Sequence, residues 1–160
     1  MYRVLFVCSS NVCRSPYCEY MFRRMVEEDT VLSGMVEVRS SAVLNQMRKM
    51  DPKTKAVLMA EGFSEAACDA HKPGVFYKDG EKFREADVII GMRKLQKAGL
   101  PGPWRKKFIT LSEAAGEEYK PIPDPWLEKD MDNYFAAMDV LKGYLTAYFD
   151  RLKTQLTDEA

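Results

Sequence analysis

Short apolar runs along the chain alternate with longer stretches in which apolar residues recur every three or four positions, the pattern of strands alternating with helices. The first run, Val4-Leu5-Phe6-Val7, is rich in Val and aromatic character and reads as a buried strand. A small polar loop closed by Cys8 and Arg14 follows. Ser15-Pro16 then opens a helix on which Tyr17, Met21 and Met25, and also Phe22 and Val26, return at helical spacing. The charges Glu27 to Asp29 and the pair Ser33-Gly34 end that pattern, and Met35 to Ser40 alternates as a second strand. Residues 41–50 form a connection with exposed-looking Met and basic residues. Asp51-Pro52 caps a helix carrying Ala56, Val57, Met59 and Ala60, which Gly62 ends.

Residues 63–80 read as irregular, with turn signals at Pro73-Gly74 and Asp79-Gly80. A short helix from Glu81 to Glu85 leads into a third buried strand at Val88 to Gly91, and a helix from about Met92 to Ala98 stops at Gly99. Pro101-Gly102-Pro103 predicts a loop before a fourth strand at Lys107 to Thr110. The segment Lys120 to Trp126 holds Pro121, Pro123 and Pro125 and reads as a stiff extended loop. A long final helix runs from about Lys129 to Leu152, with an apolar stripe of Tyr134, Met138, Leu141, Leu145, Tyr148 and Leu152. The fold class is therefore α/β: a doubly wound, mostly parallel four-stranded sheet flanked by helices, with an anion-binding loop after the first strand. Such a fold places its ligand outside the carboxyl ends of the strands.

Length and charge narrow the picture. At 160 residues, residues 1–160 are expected to form a single domain with a sizeable core. Twenty-four basic and twenty-four acidic side chains cancel, so no net field favours nucleic acid or an anionic membrane. The first apolar run is too short for a signal-peptide core or a membrane span, and a cytoplasmic protein is expected. Three of the four cysteines, Cys8, Cys13 and Cys18, crowd into eleven residues, which suits free thiols better than disulfides. They lack the spacing of a zinc site, and His71 is the only histidine. No metal and no cofactor are assigned.

The chemistry concentrates at the first loop. Five residues between Cys8 and Arg14 are enough to wrap a tetrahedral oxyanion so that successive backbone N–H groups point inward, while Arg14 offers a planar fork to two of its oxygens. Ser9, Ser10, Asn11, Val12 and Cys13 supply that loop. The loop N–H groups, the helix N-terminus, Arg14 and the Ser15 hydroxyl favour the thiolate form of Cys8, a nucleophile for in-line attack on phosphorus. A departing oxygen needs a proton, and Asp124, held between Pro123 and Pro125 and expected to be partly buried beside Trp126, is the best placed donor. Trp126, beside that donor, is read as a wall of the substrate cleft.

With Val7 to Pro16 read as Val-Cys-Ser-Ser-Asn-Val-Cys-Arg-Ser-Pro, a late Pro123-Asp124-Pro125 and strands alternating with helices between them, the chain resembles the low-molecular-weight protein tyrosine phosphatase family over nearly its whole length. The resemblance implies Cys8 as nucleophile, Arg14 as phosphate clamp and Asp124 as general acid. It implies that Asn11 holds the loop in a left-handed conformation, that Ser15 stabilises the sulfur, and that His71 and Ser40 or Ser41 belong to the network around Asn11. Cys13 is either a reversible disulfide partner of Cys8 or a packing residue; Cys18 and Cys68 are read as packing residues. The implied substrate is a phosphotyrosine protein or a small aryl phosphate, with inorganic phosphate as product.

Several positions depart from the family pattern. Ser10 stands where a glycine is usual, Arg93 where an Asp is usual, and Trp126-Leu127 where two tyrosines are common. Met47 and Met50 replace an aromatic of the cleft. Three other readings share parts of the loop. Thioredoxin-coupled arsenate reductases need two further cysteines after the third helix region, and residues 69–92 contain none. Protein arginine phosphatases carry a threonine where Val12 stands, and a non-catalytic phosphate-binding module would leave Asp124 without a role.

Overall fold

The computed structural model describes residues 1–159. Four parallel strands, β1 (Tyr2–Cys8), β2 (Val36–Ala42), β3 (Val88–Gly91) and β4 (Phe108–Thr110), lie in the order β2-β1-β3-β4. All four carboxyl ends therefore face one side of the sheet. The chain leaves β1 toward β2 on one flank and later returns to β3 on the other, which puts the topological switch point, and the crevice it creates, beside Cys8 at the end of β1.

Period-two alternation assigns the two faces of β1. Val4, Phe6 and Cys8 share a core with α1 (Arg14–Glu28) and the long α8 (Met131–Asp158), whereas Leu5 and Val7 pack with Phe83, Ile89 and Leu100 on the opposite face. The expected stripe of α8 is buried from Tyr134 to Leu152 and continues to Leu156. Its Tyr148 stacks on Phe22 of α1 with ring centroids 5.2 Å apart. Burial of these aliphatic and aromatic groups, roughly 1.5–3 kcal/mol for each large side chain, holds both helices on the sheet.

Several boundaries differ from the sequence expectation, each for a local reason. β2 runs past Ser40 to Ala42 because its pairing with β1 continues through Ser41 and Ala42 to Cys8. Within the stretch read as irregular, α3 (Glu65–Asp69) forms on Ser64, whose side chain accepts from the Ala67 N–H; the helix expected at Glu81 to Glu85 is α4 (Gly80–Glu85). The helix expected from Met92 shrinks to α5 (Leu95–Ala98), since the Gln96 Oε1 captures the N–H groups of Met92 and Arg93 outside the helix. Pro101 to Pro103 start the short α6 (Gly102–Arg105) instead of a plain loop, with proline in its first turn. Thr110 and Glu113 form a capping box that opens α7 (Leu111–Ala114), and α2 (Pro52–Ala60) is capped by Asp51 as expected. Asp29, one of the charges that end the pattern of α1, binds the Lys153 Nζ at 2.7 Å and caps the turn at Val31 and Leu32.

Candidate active site

Between Cys8 and Arg14 the backbone turns its carbonyls outward and ties them to the rest of the protein. The Cys8 carbonyl accepts from Val43 N–H at 3.0 Å, Ser9 from Leu44 and Asn45 at 3.1 and 3.0 Å, and Val12 from Asp51 at 3.0 Å. The Asn11 carbonyl accepts from His71 Nε2 at 2.9 Å. The N–H groups of residues 9–13 donate to no acceptor among the described residues. A ring of free amides at the start of α1 is an anion nest, reinforced by the positive end of the helix dipole.

Asn11 makes this shape possible. Its φ of 58° is the only positive φ among the described non-glycine residues, and a short amide side chain tolerates that conformation best. The side chain is fully buried. Its Nδ2 donates to Ser15 Oγ at 2.8 Å and Ser40 Oγ at 2.9 Å, and its Oδ1 accepts from the Gly74 N–H at 3.0 Å. This resolves the choice between the two serines: Ser40 belongs to the network, whereas Ser41 donates to Asp79 at 2.8 Å. Ser10, where strain would follow if the backbone demanded a glycine, has no positive φ. Gly74 is required for another reason, since a Cβ there would lie 1.6 Å from Asp79 Oδ2.

Cys8 Sγ sits 3.0 Å from Ser15 Oγ. The Ser15 oxygen already accepts from Asn11, which leaves its hydrogen free to point at the sulfur. Farther out, Ser40 donates to Glu19 Oε1 at 2.8 Å, and His71 Nδ1 lies 3.8 Å from the same oxygen. Because a carbonyl only accepts, His71 Nε2 carries the proton given to Asn11, and Nδ1 is bare when the ring is neutral. Burial lowers the His71 pKa, while the Asn11 carbonyl and Glu19 oppose the shift.

Arg14 is buried beside the loop. Its Nη1 donates to the Ile122 carbonyl at 2.7 Å, Nη2 lies 3.5 Å from Asp124 Oδ2, and its buried Nε has no partner among the described residues. That free donor and the loop amides are the complement of a tetrahedral anion. Asp124 is 36% exposed. It is therefore not sheltered beside the apolar Trp126 as expected; Trp126 is itself exposed and contributes its N–H to Asp124 Oδ1 at 3.2 Å.

Cys8, Ser9, Ser10, Val12, Cys13, Met47, Asp124 and Trp126 meet around one cleft of about 230 Å³, together with Asn45. Met50 does not join it and is buried at the start of α2. Burial, first of all, pushes the Cys13 thiol up to about 12. The protonated group donates to Asp51 Oδ2 at 3.4 Å. Cys18 and Cys68 are buried in the core. Among the described residues no group of three His, Cys, Asp or Glu side chains is arranged to hold a metal ion.

Four contributors escaped sequence reasoning. Glu19 lies one turn beyond Ser15 on α1, a spacing that offered a signal once Ser15 was in view. Gly74 was visible only as a turn. Lys53 donates to the carbonyls of Trp126 and, at 2.8 Å, Glu128, and so fastens the end of the Asp124 segment to α2. Ile122 acts through its carbonyl, which no side-chain pattern announces.

A family model described as low molecular weight phosphotyrosine protein phosphatase matches residues 3–158. The chain is 34% identical to a low molecular weight phosphotyrosine protein phosphatase of Sus scrofa over 137 residues, 81% of this chain and 82% of the other. It is 27% identical to a protein-arginine-phosphatase of Bacillus subtilis over 94% of this chain and 96% of the other. In fold, it is similar to the YwlE arginine phosphatase from Geobacillus stearothermophilus, with a TM-score of 0.83 at 24% identity, covering 100% of this chain and 98% of that one.

Proposed function

Because the chain belongs to the low-molecular-weight phosphotyrosine protein phosphatase family, we propose that residues 1–160 act as one phosphatase domain that hydrolyses phosphotyrosine on proteins, and small aryl phosphates, through a cysteinyl-phosphate on Cys8. The observation that carries this reading is the ring of free amides around Cys8, facing Asp124 across a single cleft. The phosphoryl oxygens sit on the N–H groups of residues 9–13 and on the Arg14 guanidinium, which balance their charge through the transition state. The Cys8 sulfur, with the Ser15 hydroxyl donating to it, attacks phosphorus in line as the bond to the phenolic oxygen breaks. Asp124, in its acid form, gives its proton to that oxygen. Its carboxylate then takes a proton from water, the water oxygen bonds to phosphorus, and the phosphorus–sulfur bond breaks to release inorganic phosphate and regenerate the thiolate.

Val12 supports an oxygen-linked aryl ester over phosphoarginine. It lines the cleft with an apolar side chain in place of a hydroxyl that would meet the guanidinium nitrogens, and such an unmade polar contact weighs heavily in a closed site. Buried Cys68 and the absence of cysteine from residues 69–92 leave a thioredoxin-coupled relay without its second and third thiols. A cytoplasmic setting suits four buried, unpaired cysteines. Among the described residues no helix is long and apolar enough to cross a membrane.

Steady-state kinetics on matched phosphotyrosine, phosphoserine and phosphoarginine peptides test the reading. Phosphotyrosine is expected to be the best substrate, with turnover abolished in Cys8→Ser. Full activity of that variant contradicts the mechanism, and a preference for the phosphoarginine peptide transfers the protein to the arginine phosphatase reading.

A further inference from the structure

The cleft over Cys8 does not end at Met47 and Trp126. On the far side of those residues lies a second hollow of about 490 Å³, and Val12, Met47 and Trp126 wall both spaces. The two are therefore neighbours across these side chains, and a polypeptide whose phosphorylated side chain enters the first has the second beside its path. The rim of this hollow is the connection between β2 and α2. It is fastened to the phosphate loop at both ends, by the Leu44 and Asn45 N–H groups on the Ser9 carbonyl and by the Asp51 N–H on the Val12 carbonyl. Met50 is buried beneath it, whereas residues 44–49 are exposed. The rim thus holds a set position relative to Cys8.

Two cations stand on that rim. Arg48 and Lys49 line the second hollow and not the first, and neither makes a hydrogen bond or ion pair with any described residue. The one carboxylate in the hollow, Asp51, is already engaged by the Lys53 N–H at 2.8 Å and the Cys13 thiol. Across the cleft, Asp124 leans toward Arg14. The charge left uncompensated beside the exposed faces of Met47 and Trp126 is therefore positive.

We propose that this hollow is a substrate subsite that selects phosphotyrosine segments carrying an acidic residue close to the phosphotyrosine, with its carboxylate set against Arg48 and Lys49. The proposal rests on the phosphatase reading above and adds the class of sequence it prefers. An extended chain advances about 3.3–3.6 Å per residue, so the three positions on either side of the phosphotyrosine sweep about 10 Å beyond it, the range in which the acidic residue is placed. Charge complementarity of this exposed kind acts mainly on encounter and KM and weakens with salt.

The test measures kcat/KM on three phosphotyrosine peptides that differ only in having Glu, Gln or Lys at the flanking positions, with p-nitrophenyl phosphate as a substrate that has no flanking residues. The wild-type protein is expected to prefer the Glu peptide over the Lys peptide about five- to tenfold at low salt, mostly through KM, with the preference shrinking at high salt. The double variant Arg48→Glu/Lys49→Glu is expected to reverse the order while p-nitrophenyl phosphate turnover changes less than twofold. Equal rates on all three peptides in the wild-type protein, or a reversal variant that slows all of them alike, overturns the subsite and leaves the phosphatase reading standing. Absence of turnover on every aryl phosphate overturns both.

Discussion

Residues 9–13 and the proline-framed segment 120–126 face each other across one cleft, yet they are held in place by opposite means. In the phosphate loop, buried polar groups fix the backbone: the carbonyls of Cys8, Ser9, Asn11 and Val12 are each bound, and the Asn11 side chain satisfies Ser15, Ser40 and Gly74 together. The segment opposite is stiffened covalently. Pro121, Pro123 and Pro125 restrict φ and remove three donors, leaving the Lys120 N–H on Ser112 Oγ at 2.9 Å, the Ile122 N–H on the Met92 carbonyl at 3.0 Å, the Ile122 carbonyl on Arg14 and the Lys53 clamp as its main ties. The first arrangement costs much to alter because every buried polar atom left unpaired carries its desolvation penalty. The second can shift as a unit about a few contacts. A binding element that must recognise one fixed tetrahedral shape and a proton donor that must reach different leaving oxygens call for this division.

The sharpest way to break the comparison is to remove the proton donor and leave the nest intact. Asp124→Ala is expected to lower kcat on phosphotyrosine peptides by roughly 10²–10⁴-fold, the usual contribution of a positioned general acid. The loss should be smaller on p-nitrophenyl phosphate, whose leaving oxygen has less need of a proton. Competitive inhibition by inorganic phosphate should hold or tighten, because the carboxylate 3.5 Å from Arg14 Nη2 no longer competes for the guanidinium. Weakened phosphate binding in this variant would mean that the segment supports the nest structurally and that the two regions are not separable.

The complementary change attacks the nest. Asn11→Ala strains an L-residue at φ 58° and strips partners from the Gly74 N–H and two buried hydroxyls, for an expected loss of about 2–4 kcal/mol in denaturant unfolding. Asn11→Gly relieves the backbone strain but loses the same side-chain hydrogen bonds, so it should recover about 1 kcal/mol of the loss. Equal stability of the two variants would place the whole effect in the side-chain network.

What the sequence disclosed follows the same division. Cys8, Arg14 and Ser15 were legible because a short loop between a buried strand and a helix start has few ways to bind an anion, and each way demands particular side chains at set spacing; Asn11, by itself an ordinary loop residue, was singled out only through the family resemblance. The sheet was legible because four buried runs alternate with helical stretches. The ties of the opposite segment were not, since they run through the carbonyls of Ile122, Trp126 and Glu128, which every residue possesses. The exposure of Asp124 was misjudged because an adjacent Trp126 implies shelter only if its ring folds back over the carboxylate. Short helices α3 and α7 were missed although Ser64 and the Thr110–Glu113 pair carry the capping chemistry; their apolar patterns are too brief to register.

The smallest expected effect concerns the outermost support of the nest, the buried His71. Its ring is held neutral by burial, with Nε2–H on the Asn11 carbonyl, despite Glu19 3.8 Å from Nδ1 and with Lys82 and Arg23 nearby. The folded pKa lies below the ordinary 6.5, so the unfolded chain takes up a proton first as pH falls. Stability from this group is therefore complete above pH 6.5 and declines below it, at a slope of up to about 1.4 kcal/mol per pH unit, until the folded state also protonates. His71→Gln retains a donor for the Asn11 carbonyl and cannot titrate. Urea unfolding at intervals between pH 7.5 and 5 should show the wild-type protein losing stability faster than His71→Gln below pH 6.5. Parallel curves would show that Glu19 holds the folded pKa at its unfolded value, and that the nest draws its rigidity from Asn11 and the serines without a neutral imidazole behind them.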